Sequence, residues 1–195
     1  GAFDAEIVPI AITLADGTAD MHVKDEGIRW DVSLEGMAGV KTVLDGGFIT
    51  AATSSQITDG AAAVMVVSEK ALKEYGLTPI ARIASFIVTA GDPIVMLEEP
   101  LFATDKALKR AGMTIGDIDL FEVNEAFAPV PLAWLKHTGV DPAKMNVNGG
   151  AIALGHPVGA SGAKLMATLI HALRARGGKY GLQTMCEGGG QANVT

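Results

Sequence analysis

Residues 146–162 read NVNGGAIALGHPVGASG, with five glycines around a single histidine, His156. Glycine inside a regular element costs about 0.5–1 kcal/mol relative to alanine, so a chain that only had to fold would gain little from this density. His156 lies between Gly155 and Pro157, in a stretch that reads as irregular backbone. Residues 160–176 follow with Leu165, Met166, Leu169, Ile170 and Leu173 at helical spacing, stopped by Gly177 and Gly178. Residues 119–123 (DLFEV) read as a strand, and 146–151 as a second short one. The glycine-rich stretch thus joins strand to helix, and ligands in open α/β sheets collect beyond strand carboxyl ends.

The same alternation extends outward. GAFDAEIVPI (1–10) reads as a strand, and 13–20, with Asp16-Gly17, as a turn. AAAVMVV (61–67) is an apolar run with the look of a fully buried strand. Ser68 then caps a short helix over 69–75, closed by Gly76. ARIASFIVTA (81–90) predicts a strand. Pro100 opens a helix to Ala111, with Gly112 at its end. Residues 126–137 are helical, with Pro129 and Pro131 confining the regular turns to the later part. Strands are expected over 181–186 and 191–195, joined by EGGG. Strands alternating with helices imply a layered α/β fold.

The 195 residues suffice for one domain with a buried core, or one and a fraction. Fifteen basic against 22 acidic side chains give a net charge of −7, with no dense basic run, which disfavours nucleic acid as a partner. Backbone N–H groups at helix starts remain able to hold an anionic ligand. The single cysteine, Cys186, excludes an intrachain disulfide and a multi-cysteine metal site, and fits a reducing compartment. No signal peptide or membrane-spanning apolar run stands out. A cytoplasmic location is expected, and the start at Gly1 reads as processing, a tag remnant or a fragment.

Three stretches at predicted strand ends concentrate chemistry: VNEAF (123–127), the glycine-rich stretch, and CEGGG (186–190). Taken alone, each residue has an ordinary structural reading. His137 and His171 are assigned that reading on helices, and His22 stays undecided. A lone buried cysteine is usually a small hydrophobe, and Asn124 could serve a turn. Together they suit acyl transfer or carbon–carbon bond chemistry on a thioester. A thiol serves as nucleophile or base, an imidazole activates it, and an amide with free N–H groups stabilises an oxyanion.

NEAF, GGAIALGHPVGASG and CEGGG, in this order and spacing, closely resemble the three C-terminal motifs of thiolases, the acetyl-CoA acetyltransferase and 3-ketoacyl-CoA thiolase family. FITAATSSQITDGAAA (48–63) and GDPIVM (91–96) resemble further family stretches. The resemblance spans the whole chain but only the second half of a thiolase. It implies a thiolase-like α/β/α fold: the end of a CoA-covering loop domain at 1–58, the last strand and helix of the N-terminal domain at 59–80, and the C-terminal domain at 81–195.

It further implies that His156 activates a nucleophilic cysteine and helps bind the thioester oxygen, and that Asn124 holds the water completing that oxyanion hole. Cys186 would move the proton at the substrate α-carbon, and the Gly188 N–H would serve the second oxyanion hole. Ser55 would contact the CoA pantetheine and Arg29 the nucleotide end. Met96, Ala126 and Phe127 would line the acyl and pantetheine path. CoA and acyl-CoA are substrates on this reading, with no permanently bound cofactor and no metal. Homodimers or homotetramers, and the missing N-terminal half, are the implied partners.

The sequence also departs from the family. The nucleophilic cysteine belongs to the absent half, so the chain alone is expected to be inactive. AATSS (51–55) replaces the usual AGNAS, and Glu187 stands where many members carry an apolar residue. The alternative is a non-catalytic CoA-binding or assembly module. A ketoacyl synthase is disfavoured, because those enzymes carry a second histidine where Cys186 stands. The surroundings of Ser161 do not fit a hydrolase nucleophile elbow.

Overall fold

The computed structural model describes residue 1 and residues 3–195. After a single 3-10 turn at Asp4–Glu6 comes an antiparallel hairpin of β1 (Ile10–Thr13) and β2 (Ala19–His22). The turn falls at Asp16-Gly17 as the sequence predicts, with the Leu14 N–H donating to the Thr18 carbonyl. The strand lies at 10–13 rather than 1–10, because pairing reaches only as far as the turn's two arms. Short helices follow: α1 (Leu34–Ala38), capped by Ser33, and α2 (Glu69–Glu74), capped by the Ser68 hydroxyl as expected.

Residues 61–67 differ from expectation. They form no strand and are exposed, Met65 to 81%. An extended segment satisfies its backbone only beside another strand, and among the described residues none is paired with it.

The main sheet joins β3 (Ile87–Ala90), β4 (Leu120–Val123), β5 (Gly181–Glu187) and β6 (Gln191–Val194) in the order β3-β6-β5-β4. β4 and β5 run parallel, and the other neighbours are antiparallel. Only the last four residues of the strand expected at 81–90 pair. One face carries α3 (Glu99–Ala111) and α4 (Pro129–Thr138). Pro100 opens α3 and Gly112 closes it in the left-handed conformation, as predicted. In α4 the helix starts at Pro129 itself. Both prolines occupy the first turn, where the N–H groups have no intrahelical partner, so they start the helix instead of delaying it.

Two further helices, α5 (Ala151–Leu154) and α6 (Ser161–Arg176), complete the order. α6 packs on the opposite face of the sheet, where Leu120 meets Leu169 and Ala172. The alternation of β4 makes the layers: Phe121 and Val123 face α3 and α4, while Leu120 faces α6. Helix, sheet and helix form the layered α/β arrangement expected. The strand expected over 146–151 is absent, and a side chain takes its place, as described below.

Trp134 is fully buried between α4 and Phe121, its ring N–H donating to the Thr104 hydroxyl at 2.9 Å. That hydroxyl donates in turn to the Pro100 carbonyl at 2.7 Å. Trp134→Ala is expected to lower unfolding free energy by about 3–5 kcal/mol. Thr104→Val, which leaves the indole N–H unpaired, should cost about 1–3 kcal/mol. Urea unfolding of both variants reads these losses, and a neutral Thr104→Val would show that the indole finds another acceptor.

Candidate active site

The site is built at the carboxyl end of β4. This strand is an edge of the sheet, and Asn146 covers its exposed end. Asn146 adopts φ +47°. Its side-chain oxygen accepts the Val123 N–H at 2.9 Å, and its Nδ2 donates to the Val123 carbonyl at 3.0 Å. The Asn146 backbone N–H donates to the Phe121 carbonyl. One amide thus stands in for a neighbouring strand. Nδ2 also donates to Glu125 at 2.8 Å, and the other Glu125 oxygen accepts the Ile152 N–H in the first turn of α5. Gly150 is what lets this carboxylate approach, since a Cβ there would lie 2.0 Å from it.

Pairing with β5 continues one residue past β4: the Asn124 N–H donates to the Thr184 carbonyl at 3.0 Å. The Asn124 side chain is 1% exposed, and neither of its polar atoms has a partner. It lines a small cavity with Glu122, Gly155, Ser161 and Lys164, which has room for about one water molecule. Glu122 is equally buried, and neither of its carboxyl oxygens has a partner.

His156 reaches this cavity through Ser161. Its Nδ1 lies 2.5 Å from the Ser161 hydroxyl, which itself donates to the Pro157 carbonyl at 3.1 Å. A hydroxyl has one hydrogen. With that hydrogen on Pro157, Ser161 accepts from Nδ1–H, and the His156 Nε2 keeps a free lone pair. Burial, and then the nearby Lys164 ammonium, holds the imidazole below its ordinary pKa and favours the neutral ring. Lys164 donates to the Leu154 and Gly155 carbonyls at 3.3 and 3.0 Å, which fixes the loop that presents His156. Gly155 answers part of the glycine question: it adopts φ +86°, and a Cβ would lie 2.7 Å from Thr58.

Cys186 sits two residues beyond Thr184, at the same end of the sheet, buried and unpaired. It does not line the Asn124 cavity. Strand alternation turns Cys186 to the Leu182 side, toward α3, while Asn124 faces α6. The two side chains can therefore meet only around the strand tips. Burial pushes the Cys186 thiol up, and the Glu187 carboxylate adds to this. Gly188 lies in the exposed turn that joins β5 to β6. The Gly91 N–H donates to the Gly190 carbonyl, which ties the GDPIVM stretch to this turn. Five residues on, the half-buried Met96 is held at φ +63°.

The first part of the chain is stitched to the site by backbone. The Ser55 N–H donates to the Ala126 carbonyl at 3.0 Å, and the Ala128 N–H donates to Thr53 at 2.9 Å. Ser54 bridges Phe127, and the His156 N–H donates to the Gln56 carbonyl at 2.8 Å. Ser55, Ala126 and Phe127 are thus neighbours. Arg29 is exposed and outside this group, although nearby Gly27 abuts Thr58 and Gln56. His137 pairs with Asp105 at 2.8 Å on α4, consistent with an ordinary surface role.

Glu122, Glu125, Asn146 and Lys164 carry no site role in the sequence reading, and Ser161 enters it only as a rejected hydrolase nucleophile. Glu122 was detectable as an acid inside an otherwise apolar strand. Ser161 lies five residues after His156, a spacing that carried no signal without the loop's shape. Among the described residues no cluster of His, Cys, Asp and Glu could hold a metal ion. No helix there is long and apolar enough to cross a membrane.

This layered sheet carries an imidazole loop and a thiol at its carboxyl end, and comparison with known proteins gives the family. The chain matches the thiolase N-terminal domain over residues 1–70 and the thiolase C-terminal domain over residues 77–195. The chain belongs to the thiolase family. It is 55% identical over 195 residues to a steroid 3-ketoacyl-CoA thiolase of Mycobacterium tuberculosis, covering 100% of this chain and 46% of that protein. It is 47% identical over 191 residues to an acetyl-CoA acetyltransferase of Cupriavidus necator, covering 97% of this chain and 49% of that one. The crystal structure of human mitochondrial 3-ketoacyl-CoA thiolase matches all of this chain and 49% of its own, at TM-score 0.88 and 42% identity. The chain spans about half the length of these relatives.

The His156 environment makes a direct prediction. Its folded-state pKa lies below the ordinary 6.5, because burial and then Lys164 disfavour the cation. Below pH 6.5 the unfolded chain therefore binds the proton first, and stability falls as pH drops toward the folded pKa. NMR titration of the His156 ring should show a lowered midpoint, and Lys164→Gln should move it upward. A midpoint indifferent to Lys164 would remove the ammonium from the account.

Proposed function

We propose that this chain is the C-terminal part of an acyltransferase that cleaves 3-ketoacyl-CoA with CoA, or condenses two acetyl-CoA molecules in reverse. The observation that carries this reading is the His156–Ser161–Pro157 chain of hydrogen bonds, which, with the Ser161 hydrogen on the Pro157 carbonyl, leaves Nε2 available as a base. A nucleophilic cysteine from the other half of the protein would give its proton to Nε2 and add to the 3-keto carbon. The resulting Nε2–H, with a water held by Asn124, would hold the thioester oxygen, which takes up the enolate charge of the departing acetyl-CoA. Collapse breaks the carbon–carbon bond. The electron pair goes to the α-carbon of the departing acetyl-CoA, and Cys186 supplies the proton. A thiol pushed up by burial is protonated at neutral pH, the state this step needs. The Gly188 N–H would serve the second oxyanion hole, on the oxygen of the 3-keto carbon that the cysteine attacks. The CoA thiol then takes the acyl group and releases the cysteine.

On this reading Ser55, Arg29, Met96, Ala126 and Phe127 form the CoA and acyl path. The backbone ties among residues 53–56, 126–128 and 156 support its inner part. Residues 1–58, 59–80 and 81–195 correspond to the loop, N-terminal and C-terminal domains. The exposed apolar 61–67 run supports docking of the missing half, which would supply its strand neighbours. We further assign a homodimeric or homotetrameric assembly and a cytoplasmic location. The location rests on the unpaired thiol.

The test is expression of this chain alone and together with the cysteine-bearing half. The complete enzyme should turn over acetoacetyl-CoA and the chain alone should not. Turnover by the pure chain would overturn the reading, and CoA binding without turnover in the complete protein would favour a non-catalytic module. In the complete enzyme, Cys186→Ser should slow α-proton exchange and condensation by about 10²–10⁴-fold. A labelled acyl-enzyme should still be trappable, because acylation depends on His156. Exchange at the parental rate would remove Cys186 as the acid/base.

A further inference from the structure

The cavity beneath Asn124 contains a group that the reaction above leaves unused. Glu122 and Asn124 lie two residues apart on one extended stretch, since pairing with β5 continues through the Asn124 N–H. Their side chains therefore emerge on the same face, with a rise of about 6.6 Å between them. The structure has no direct hydrogen bond between them, so a link between the two side chains runs through a water. Both side chains are 1% exposed, and all four of their polar atoms lack a protein partner. The cavity they share has room for about one water molecule.

The charged neighbours are otherwise engaged. From α6, Lys164 is bonded to the Leu154 and Gly155 carbonyls and forms no ion pair with Glu122 among the described residues. Asp25 faces Lys164 and sustains its charge. From the loop after β4, Glu125 is held by Asn146 and the Ile152 N–H, and as an anion it repels a second one. A carboxylic acid in this place has one O–H to donate, and Asn124 Oδ1 needs a donor.

We propose that Glu122 is a positioning residue: its uncharged carboxyl donates through a cavity water to Asn124 Oδ1 and so aims Asn124 Nδ2 at the reacting oxygen or its water. This rests on the thiolase reading of Asn124. Burial first, and repulsion by Glu125 second, push the Glu122 carboxyl up to about 8 against the pull of Lys164. The donor is therefore present at neutral pH and lost above that value. An ionised Glu122 would take one of the water's hydrogens and leave its lone pairs open to Asn124 Nδ2, so the amide would no longer be held with Nδ2 toward the reacting oxygen.

The test uses the complete enzyme carrying Glu122→Gln and Glu122→Ala. The glutamine amide donates at every pH, so Glu122→Gln should keep kcat within about threefold of the parent at pH 7 and lose the parent's decline in kcat above pH 8. Glu122→Ala should lower kcat about tenfold or more with KM little changed, because the donor acts on the transition state. Difference infrared spectra of parent against Glu122→Gln at pH 7 should show the carbonyl band of a protonated carboxylic acid, which does not depend on turnover. An Ala variant with parental kcat, a Gln variant as impaired as Ala, an unchanged alkaline limb in Glu122→Gln, or a missing acid band would each overturn the proposal. If Glu122→Ala fails to fold, the Gln profile and the infrared band decide it. A parent enzyme without thiolase turnover would instead overturn the thiolase reading, and the positioning role with it.

Discussion

The side-chain amide of Asn146 makes with β4 the two hydrogen bonds that a neighbouring strand would otherwise make, and the site hangs from that contact. Because Val123 is clamped on both its N–H and its carbonyl, the backbone leaving β4 has one direction. Asn124 follows immediately, with its N–H on β5, and Glu125 is caught by the same Asn146 amide. Glu125 in turn anchors the first turn of α5, whose end delivers Gly155 and His156. A single left-handed asparagine therefore couples the amide of the site to its imidazole. An unpaired edge would leave both on loose backbone, and preorganised donors are what make an oxyanion site effective.

Burial then sets the protonation states. Glu122, His156 and Cys186 are each pushed toward their uncharged forms, in every case first by removal from water. Lys164 is pushed the same way by burial, but Asp25 and Glu122 oppose that shift, and two carbonyls accept its N–H groups. An uncharged imidazole can take a proton and an uncharged thiol can give one, so the same desolvation leaves the two groups in complementary protonation states.

Most of the fold was legible where a local signal and its partner lie in the same stretch. Ser68 at the start of α2, Pro100 and Gly112 around α3, and the apolar stripe of α6 with Gly177 are of this kind. Residues 61–67 have the apolar content of a buried strand but no strand partner among the described residues, because apolar content shows that burial is wanted, not where the neighbour is. The 146–151 strand was misread for a related reason. Extended pairing with β4 does exist there, but an amide side chain makes most of it, and periodicity cannot see that. His156, Asn124 and Cys186 were visible as polar or reactive residues at strand ends. Ser161 and Glu122 were not, since their roles depend on a hydroxyl's one hydrogen and on which face of β4 looks into a cavity.

Two kinds of tie hold the parts of this region together. Residues 53–56 meet residues 126–128 and 156 through backbone groups, with Ser54 bridging Phe127 and Ile57 bridging His156. Backbone hydrogen bonds constrain position but tolerate many side chains, so the departure of AATSS from the usual family stretch leaves these ties intact. The side chains of that segment are free to vary, whereas Asn146, Glu125, Ser161 and Lys164 are bound to one another or to the loop by their own polar atoms. Variation on the first side leaves the backbone ties in place. Variation on the second changes where His156 and Asn124 stand.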